Sequence, residues 1–191
     1  MRYPDNPTPI SSDLLKQFDA DPPGTWLAQP KLDGWRRIAV HDGTQWRYHA
    51  KPHGAGAAIP AVEADLQDEF EALPWPPGLG LDMEWVGPRH AGAAHSLHVF
   101  DMFQFGGAPG FEEPFEFRYG ALDAIWQTVQ SKDARVHLVP VFANPGLLDR
   151  FLEQMQDPRS EGLVLRRADS TLIGKRNACA TNPHVFKVKF K

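Results

Sequence analysis

The residues with the clearest chemical potential in this chain lie in one short stretch, KLDGWR at 31–36. A lysine amine such as that of Lys31 attacks phosphorus only when it is neutral, and burial beside other cations favours the neutral form of an amine. Gly34 allows the backbone to turn tightly close to a bound ligand. Asp33 can orient this loop, and the planar guanidinium of Arg36 suits a ribose hydroxyl or a phosphate. The stretch therefore indicates a nucleophilic lysine; the alternative is an exposed Asp-Gly turn with flanking charges.

Three later stretches combine an acidic residue with an apolar, strand-like run. They are LDMEWV at 81–86, VFDM at 99–102 and EGLVLR at 161–166. Glu84 places a carboxylate on an otherwise mostly apolar strand, from which it can contact a ribose or a metal ion. Phe100 places an aromatic ring beside an acid, and Glu161 opens its strand together with a glycine. Each stretch alone is a weak signal for a site.

The last six residues, FKVKFK at 186–191, alternate strictly between apolar and basic. A period of two puts Lys187, Lys189 and Lys191 on one face of a strand. Residues 161–191 contain seven lysines and arginines and two acidic residues, which gives this segment a net charge of +5. Because the whole chain has a net charge of −4, residues 1–160 carry −9. This asymmetry indicates one basic surface for an anionic ligand. The alternatives are a solvated basic tail and an edge strand whose lysines lie in water.

The elements that must position these residues alternate irregularly along the chain. Asp42-Gly43 between two alternating runs predicts a hairpin. Apolar residues at helical spacing predict helices at 60–72, 118–130 and 146–156. Strands are predicted at 26–31, 35–41, 44–50, 79–86, 95–103, 135–142, 161–167 and 184–190. Runs of strands followed by short helices predict an α+β fold with mainly antiparallel sheets and flanking helices.

Length and composition exclude several classes of protein. With 191 residues, 42% hydrophobic and 23% charged, the chain fits one ordinary globular domain, which we assign to residues 1–191. No apolar run is long enough to span a membrane. Cys179 is the only cysteine, which excludes an internal disulfide and a thiolate-rich zinc site. We expect a cytoplasmic monomer that has no membrane partner.

In this order, the five stretches resemble motifs I, III, IIIa, IV and V of the covalent nucleotidyltransferases, which comprise ATP-dependent DNA ligases, RNA ligases and mRNA capping enzymes. The resemblance runs through nearly the whole chain. The sequence RRIAVHDG at 36–43 and the GKR at 174–176 are most similar to a DNA ligase adenylation domain. The resemblance implies a nucleotidyltransferase domain of the ATP-grasp-like type found in ligase adenylation domains.

The resemblance also implies roles for individual residues toward the nucleotide. Lys31 is implied to be the nucleophile that forms a lysyl-AMP bond with ATP. Gln29 would read the adenine edge, and Phe100 would stack on the adenine. Arg36 and Glu84 would contact the ribose side of the nucleotide.

Two further groups of residues follow from the same resemblance. Glu161 would support the catalytic metal, Mg²⁺ or Mn²⁺, while Lys187 and Lys189 would hold the α-phosphate, where charge builds up during attack. Nucleic-acid contacts are expected from Lys51, Lys175 and Arg176. Lys51 falls where the family usually has Ser-Arg, so it keeps the charge but loses bidentate phosphate geometry.

Two features separate this sequence from the usual pattern. The ligases normally continue into an OB-fold domain carrying motif VI, which orients the leaving pyrophosphate, whereas this sequence stops two residues after Lys189. We therefore expect no OB-fold domain, in either a natural short ligase or an isolated domain. No nicotinamide-binding domain precedes Lys31, which favours ATP over NAD.

The expected function is an ATP-dependent ligase that seals nicks in duplex DNA or an RNA–DNA hybrid. Three alternatives remain open from the sequence. They are an RNA ligase with the same chemistry, a capping-type guanylyltransferase that uses GTP, and a non-catalytic nucleic-acid-binding module that retains only the fold.

Overall fold

Two β-sheets flanked by helices make up the part of the chain that the structure, a computed structural model, describes: residues 2–50, 61–87, 94–176 and 180–190. Within these ranges the helices are α1 (Leu15–Asp19), α2 (Ala64–Ala72), α3 (Phe115–Val129) and α4 (Leu147–Gln154), with a 3₁₀ turn at Ser12–Leu14. The strands are β1 (Arg2–Tyr3), β2 (Asn6–Pro9), β3 (Trp26–Leu32), β4 (Gly34–His41), β5 (Trp46–Ala50), β6 (Gly80–Val86), β7 (Ser96–Phe105), β8 (Ala108–Pro109), β9 (Val136–Leu138), β10 (Phe142–Ala143), β11 (Ser160–Arg167), β12 (Lys175–Arg176) and β13 (Thr181–Lys189).

The first sheet has the order β10-β3-β11-β13-β2 and is antiparallel except for the parallel β13–β2 pair. Along β3, Trp26 and Ala28 point to one face, where they pack with Leu163 and Val188 against α4. Because side chains alternate across a strand, Gln29 and Lys31 can share the opposite face. That face turns toward the second sheet.

The second sheet has the order β5-β4-β6-β7-β8, and β9 lies parallel beside β7. One face is apolar and packs on the two longer helices, with Met83 and Val99 buried against Leu66 of α2 and Leu122 of α3. Burying a side chain of this size contributes about 1.5–3 kcal/mol. The other face looks toward the first sheet.

The α+β architecture with mainly antiparallel sheets confirms the predicted fold class. The predicted strand at 135–142 was wrong. That stretch forms two short strands in different sheets, with β9 beside β7 and β10 beside β3. Pro140 lies between them and has no N–H for a ladder, so it separates the two pairings.

Other boundaries moved by a few residues for local reasons. The strand expected from Thr44 begins at Trp46, because Asp42 first closes a turn in which its carboxylate accepts hydrogen bonds from the N–H groups of Thr44 and Gln45. The predicted helix at 60–72 begins at Ala64, and its first predicted residue lies outside the described residues. The helix predicted to begin at residue 118 begins at Phe115.

The N-terminal strands β1 and β2 were not predicted. The run NPTP of β2 has two prolines, which weaken a strand signal. It is tolerated here because β2 is the last strand of its sheet, where unused donors face outward. Among the described residues, no helix has the length and apolar character needed to cross a bilayer.

Candidate active site

The stretch KLDGWR connects the two sheets. Strand β3 ends at Leu32 and β4 begins at Gly34, so a single residue, Asp33, leads from one sheet to the other. The N–H of Asp33 donates to the backbone oxygen of Arg159, 2.8 Å away. Lys31 is therefore placed on the first sheet and Arg36 on the second, on facing walls.

A cleft of about 270 Å³ opens between these walls. Every residue predicted to contact the nucleotide or the metal lines it: Gln29, Lys31, Arg36, Glu84, Phe100, Glu161, Lys187 and Lys189. The structure thus brings together residues that are far apart in sequence. Their chemical roles remain predictions.

The strand register of the first sheet arranges four of these residues in rows. Lys31 is paired with Gly162, which is paired in turn with Lys189. Two residues away along each strand, Gln29 is paired with Val164, which is paired with Lys187. Because the alternation has a period of two, these side chains share the cleft face of the sheet.

Glu161 reaches the cleft through a β-bulge. The register against β3 shifts between Ser160 and Gly162, so Glu161 is the extra residue, and a bulge re-aims the side chain at its position. Gly162 has φ of +144°, and a Cβ there would lie 1.8 Å from the backbone oxygen of Val188. Only glycine satisfies both conditions.

The Glu161 carboxylate is shared by two lysines. One oxygen accepts a hydrogen bond from Lys31 Nζ. The other accepts one from Lys189 Nζ at 2.5 Å. Partial burial raises the pKa of Glu161, but the bonds from Lys189 and Lys31 outweigh it, so the net pKa lies below the ordinary value. The carboxylate therefore stays ionised at neutral pH.

Gly34 serves a different purpose from the one predicted. A Cβ at this position would lie 2.4 Å from the backbone oxygen of Trp85 and 2.8 Å from Cγ of Glu84. The residue is therefore small because β6 passes close beside it, rather than because the chain turns tightly there. It also lines the cleft, where the missing side chain leaves space.

On the second sheet, the guanidinium of Arg36 forms a bidentate ion pair with the buried carboxylate of Asp82. Its Nε donates to Asp82 Oδ1 at 2.8 Å and its Nη2 donates to Asp82 Oδ2. Its Nη1 donates to the backbone oxygen of Asp5 at 2.9 Å. Burial raises the pKa of Asp82, and the charge of Arg36 opposes that rise. Glu84 is the cross-strand neighbour of Arg36, and it lines the cleft as Arg36 does.

A second buried carboxylate, Asp101, holds two more arginines. Its oxygens accept from Nε and Nη2 of Arg118, both at 3.0 Å, and from Nη1 of Arg166 at 2.6 Å. Burial raises the pKa of Asp101, but Arg118 and Arg166 outweigh burial and lower it overall. Arg166 also lines the cleft. We name Arg36, Asp82, Asp101, Arg118 and Arg166 the buried charge cluster.

This cluster was not predicted from the sequence. A signal existed, because Asp82 and Asp101 each interrupt an apolar strand run and would need a buried partner. The identity of the partners was not readable, since Arg118 comes from α3 and Arg166 from the first sheet.

Phe100 also sits at a register shift, since Asp82 pairs with Asp101 and Met83 pairs with Val99. Its backbone oxygen accepts a hydrogen bond from Gln29 Nε2 at 3.0 Å, which links the two sheets across the cleft. The guanidinium groups of Arg36 and Arg166 lie 5.8 and 5.9 Å from its ring centroid. Phe100 and Gln29 are therefore positioned together.

The predicted nucleic-acid residues are only partly described. Lys51 lies outside the described residues, as does Lys191 of the predicted basic strand face. The backbone of Lys175 and Arg176 forms β12, which pairs antiparallel with β1. These two strands form a two-stranded sheet of their own.

The cleft suits a metal ion only in company with a ligand. Among the residues that the structure describes, no three His, Cys, Asp or Glu side chains converge on one point. Three acidic residues, Asp5, Glu84 and Glu161, line the cleft, and the carboxylate of Asp5 accepts from Ile173, Gly174 and Asn182. Mg²⁺ is commonly held by one or two carboxylates together with substrate phosphates, so this donor set fits an ion that arrives with a nucleotide.

No protein-family model matches this chain, and no curated protein is detectably similar in sequence. Solved structures match its fold. The ligase domain of M. tuberculosis LigD has a TM-score of 0.70 at 17% identity, covering 98% of this chain and 59% of that one. A mycobacterial DNA ligase D complexed with ATP has a TM-score of 0.70 at 15% identity, covering 98% and 60%. For Chlorella virus DNA ligase-adenylate the values are 0.60 and 15%, covering 98% and 66%.

The chain therefore has the fold of ligase nucleotidyltransferase domains, as the sequence resemblance implied. It spans about three fifths of the length of the mycobacterial ligase structures that it matches.

Proposed function

We propose that this chain is the nucleotidyltransferase domain of an ATP-dependent polynucleotide ligase that seals nicks in duplex DNA. The observation that carries the proposal is the position of Lys31. It lies with Glu161, Lys187 and Lys189 in a cleft between two sheets, in a chain with the fold of ATP-dependent DNA ligases. A non-catalytic binding module has no chemical need for this set of charges.

The first step is attack by Lys31 Nζ on the α-phosphorus of ATP. A nitrogen–phosphorus bond forms, the bond from the α-phosphorus to its bridging oxygen breaks, and pyrophosphate leaves. The amine must first lose a proton. Lys31 Nζ donates to the carboxylate of Glu161, so this pair must open before the nitrogen can attack.

Lys187 and Lys189 supply positive charge to the α-phosphate. They share one face of β13, at the strand positions opposite Val164 and Gly162. Positioned charges of this kind stabilise the oxygens on which negative charge builds during attack. Mg²⁺ or Mn²⁺, held by Glu161 together with the nucleotide phosphates, would neutralise further phosphate charge.

Two transfers complete the reaction. The phosphate oxygen at the 5′ end of a nick attacks the same phosphorus, so that AMP moves from Lys31 to the strand and the amine is released. The neighbouring 3′-hydroxyl then attacks the 5′-phosphorus, forms the phosphodiester bond and expels AMP. The hydroxyl proton passes to solvent or to a basic group.

Gln29 supports ATP over GTP as the nucleotide. One of the two N–H groups on its Nε2 donates to the backbone oxygen of Phe100, which fixes the orientation of the amide. In this orientation the amide oxygen can accept from the amino group of adenine, whereas it would oppose the carbonyl oxygen of guanine.

The proposal is tested with Mg²⁺ and α-labelled ATP. We expect a covalent protein–AMP adduct whose label maps to Lys31, and its loss in Lys31→Ala. Lys132→Ala, at an exposed lysine of a loop, is the matched control and should keep the adduct. Label on another residue, or label retained by Lys31→Ala, contradicts the assignment. A parallel reaction with α-labelled GTP should give no adduct.

The substrate is tested separately by incubating the adduct with nicked DNA, nicked RNA and both hybrids. We expect the DNA nick to be sealed fastest. A preference for nicked RNA would assign the chain to the RNA ligases instead, with the same lysyl-AMP chemistry.

A further inference from the structure

The N-terminal residues 2–9 contact two separate parts of the molecule. Strand β1 pairs antiparallel with β12, which contains Lys175 and Arg176. Strand β2 pairs in parallel with β13, which carries Lys187 and Lys189. The two strands are joined by Pro4 and Asp5, of which Asp5 lines the cleft together with Asn6 and Pro7.

Asp5 is almost completely buried, with 5% of its surface exposed, and its carboxylate collects three hydrogen bonds. The donors are the backbone N–H of Ile173 at 2.9 Å, that of Gly174 at 2.8 Å, and Nδ2 of Asn182 at 2.6 Å. Asn182 also donates to the backbone oxygen of Thr171 at 2.9 Å. The carboxylate thus fixes the segment that leads directly into β12.

The backbone oxygen of Asp5, in contrast to its carboxylate, contacts a residue that lines the cleft. This oxygen accepts the hydrogen bond from Arg36 Nη1 at 2.9 Å. Arg36 is otherwise oriented by Asp82, which receives its Nε and Nη2. One residue therefore connects the segment 173–176 to an arginine of the nucleotide cleft.

We propose that Asp5 is a positioning residue that orients Arg36 toward the nucleotide and holds the segment 173–176 in place for the nucleic acid. This inference rests on the proposed function. The three hydrogen bonds to the Asp5 carboxylate hold the residue in place. They thereby fix the position of its backbone oxygen, which is the atom that contacts Arg36.

Asp5→Ala removes the acceptor of three hydrogen bonds, of which the one from Asn182 is buried and those from Ile173 and Gly174 are part-buried. The backbone of Asp5 is then no longer held against these residues. We expect its oxygen to leave its position beside Arg36 and the pairing of β1 with β12 to loosen. We therefore expect both binding activities to weaken in Asp5→Ala.

Asp19 provides a matched control. Its carboxylate also accepts three backbone N–H groups, from Gly146 and Leu147 at 2.9 Å and from Leu148 at 3.3 Å. These lie at the start of α4, on elements outside the cleft lining. Asp19→Ala therefore removes a similar set of bonds away from the proposed site.

The nucleotide arm uses an ATP analogue with a methylene between the α- and β-phosphorus, which binds without losing pyrophosphate. Loss of a hydrogen bond to a charged group costs about tenfold in binding, so we expect about tenfold weaker analogue binding by Asp5→Ala. Asp5→Asn keeps one acceptor oxygen and should recover part of this loss. Asp19→Ala should bind like the wild type while losing a similar amount of thermal stability.

A double-mutant cycle tests whether Asp5 acts through Arg36. If it does, Asp5→Ala adds little to the loss already caused by Arg36→Ala. The nucleic-acid arm compares affinity for a nicked duplex at one salt concentration. Asp5→Ala should weaken it several-fold, and Asp19→Ala should leave it unchanged, because the bonds of Asp19 are made at the start of α4.

Each outcome decides the proposal. Wild-type binding of both ligands by Asp5→Ala, or multiplying losses in the double variant, overturns it and leaves Asp5 with a structural role only. A wild-type protein that binds the analogue but forms no lysyl-AMP would instead refute the ligase function, while the analogue arm still decides the role of Asp5.

Discussion

Two sets of charges, which differ in burial and in geometry, contribute side chains to the cleft. The first, here named the lysine wall, consists of Lys31, Lys187, Lys189 and Glu161. Side-chain exposure in its two ion pairs ranges from 20% for Lys31 to 49% for Lys189. The second is the buried charge cluster, in which the Asp82 and Asp101 side chains are 0% and 1% exposed.

The difference in burial implies a difference in permanence. Ion pairs that reach solvent contribute about 0–1 kcal/mol and exchange readily, so Glu161 can release Lys31 at small cost. A buried pair that loses one partner costs about 3–5 kcal/mol, because the other charge stays out of water. The lysine wall is thus suited to change during a reaction, and the buried charge cluster is suited to hold the cleft in shape.

The largest expected effect comes from breaking the buried charge cluster. Asp101→Ala leaves the buried guanidinium groups of Arg118 and Arg166 without their carboxylate. We expect a loss of about 3–5 kcal/mol in the free energy of unfolding, measured by urea titration. Glu153→Ala, which removes the exposed pair with Arg150, is the control and should change it by about 1 kcal/mol or less.

If Asp101→Ala and Glu153→Ala destabilise the protein equally, burial does not distinguish the two sets of charges. The comparison between the buried charge cluster and the lysine wall would then lose its basis.

A smaller effect, confined to the reaction, is expected from the lysine wall. Lys187→Ala and Lys189→Ala each remove a charge from the proposed α-phosphate site. Removal of one such donor costs about 3 kcal/mol, on the order of a hundredfold in rate. We expect lysyl-AMP formation and AMP transfer to a nick to slow by about that factor, with little change in stability because these lysines reach solvent.

Single-turnover measurements on 5′-phosphate and pre-adenylylated nicks separate the steps, with Lys132→Ala as the control. The wild type should seal the pre-adenylylated nick without ATP. Wild-type rates for both lysine variants in every step would show that the face of β13 is only a solvated strand face.

The two sets of charges also differ in how far the sequence predicted them. Lys31, Lys187 and Lys189 were found because their spacing is local: a short motif and a strand with a period of two. Their meeting in one cleft depends on the pairing of β3, β11 and β13, which was not predicted; the resemblance implied only that all three act on one nucleotide. The bulge at Glu161 was not predicted, although Gly162 marks its position.

The buried charge cluster was missed because its contacts are non-local. Asp101 and Arg166 are 65 residues apart in sequence, and Arg36 and Asp82 are 46 apart. No local period reports such pairs. Asp5 was missed for the same reason, since its donors Ile173 and Gly174 follow it by 168 and 169 residues.

The smallest expected effect concerns pH and tests whether the Glu161 pairs are as weak as their exposure implies. Burial raises the pKa of Glu161, but Lys189 and Lys31 lower it overall below its ordinary value of 4.5. A carboxylate with a lowered folded-state pKa adds stability that is fully present above the unfolded pKa and is lost as pH falls through the folded pKa. Glu161→Gln cannot titrate, so the stability difference between wild type and variant should disappear in acid.

Urea unfolding of both proteins between about pH 3 and pH 7 measures this difference. Above the ordinary pKa of a glutamate we expect the wild type to be more stable by about 1 kcal/mol or less, because the pairs reach solvent. A difference as large as that of Asp101→Ala would mean that Glu161 holds Lys31 as firmly as a buried pair. In that case Glu161 could not release the Lys31 amine at small cost. The proposed difference between the lysine wall, which rearranges during the reaction, and the buried charge cluster, which does not, would then be wrong.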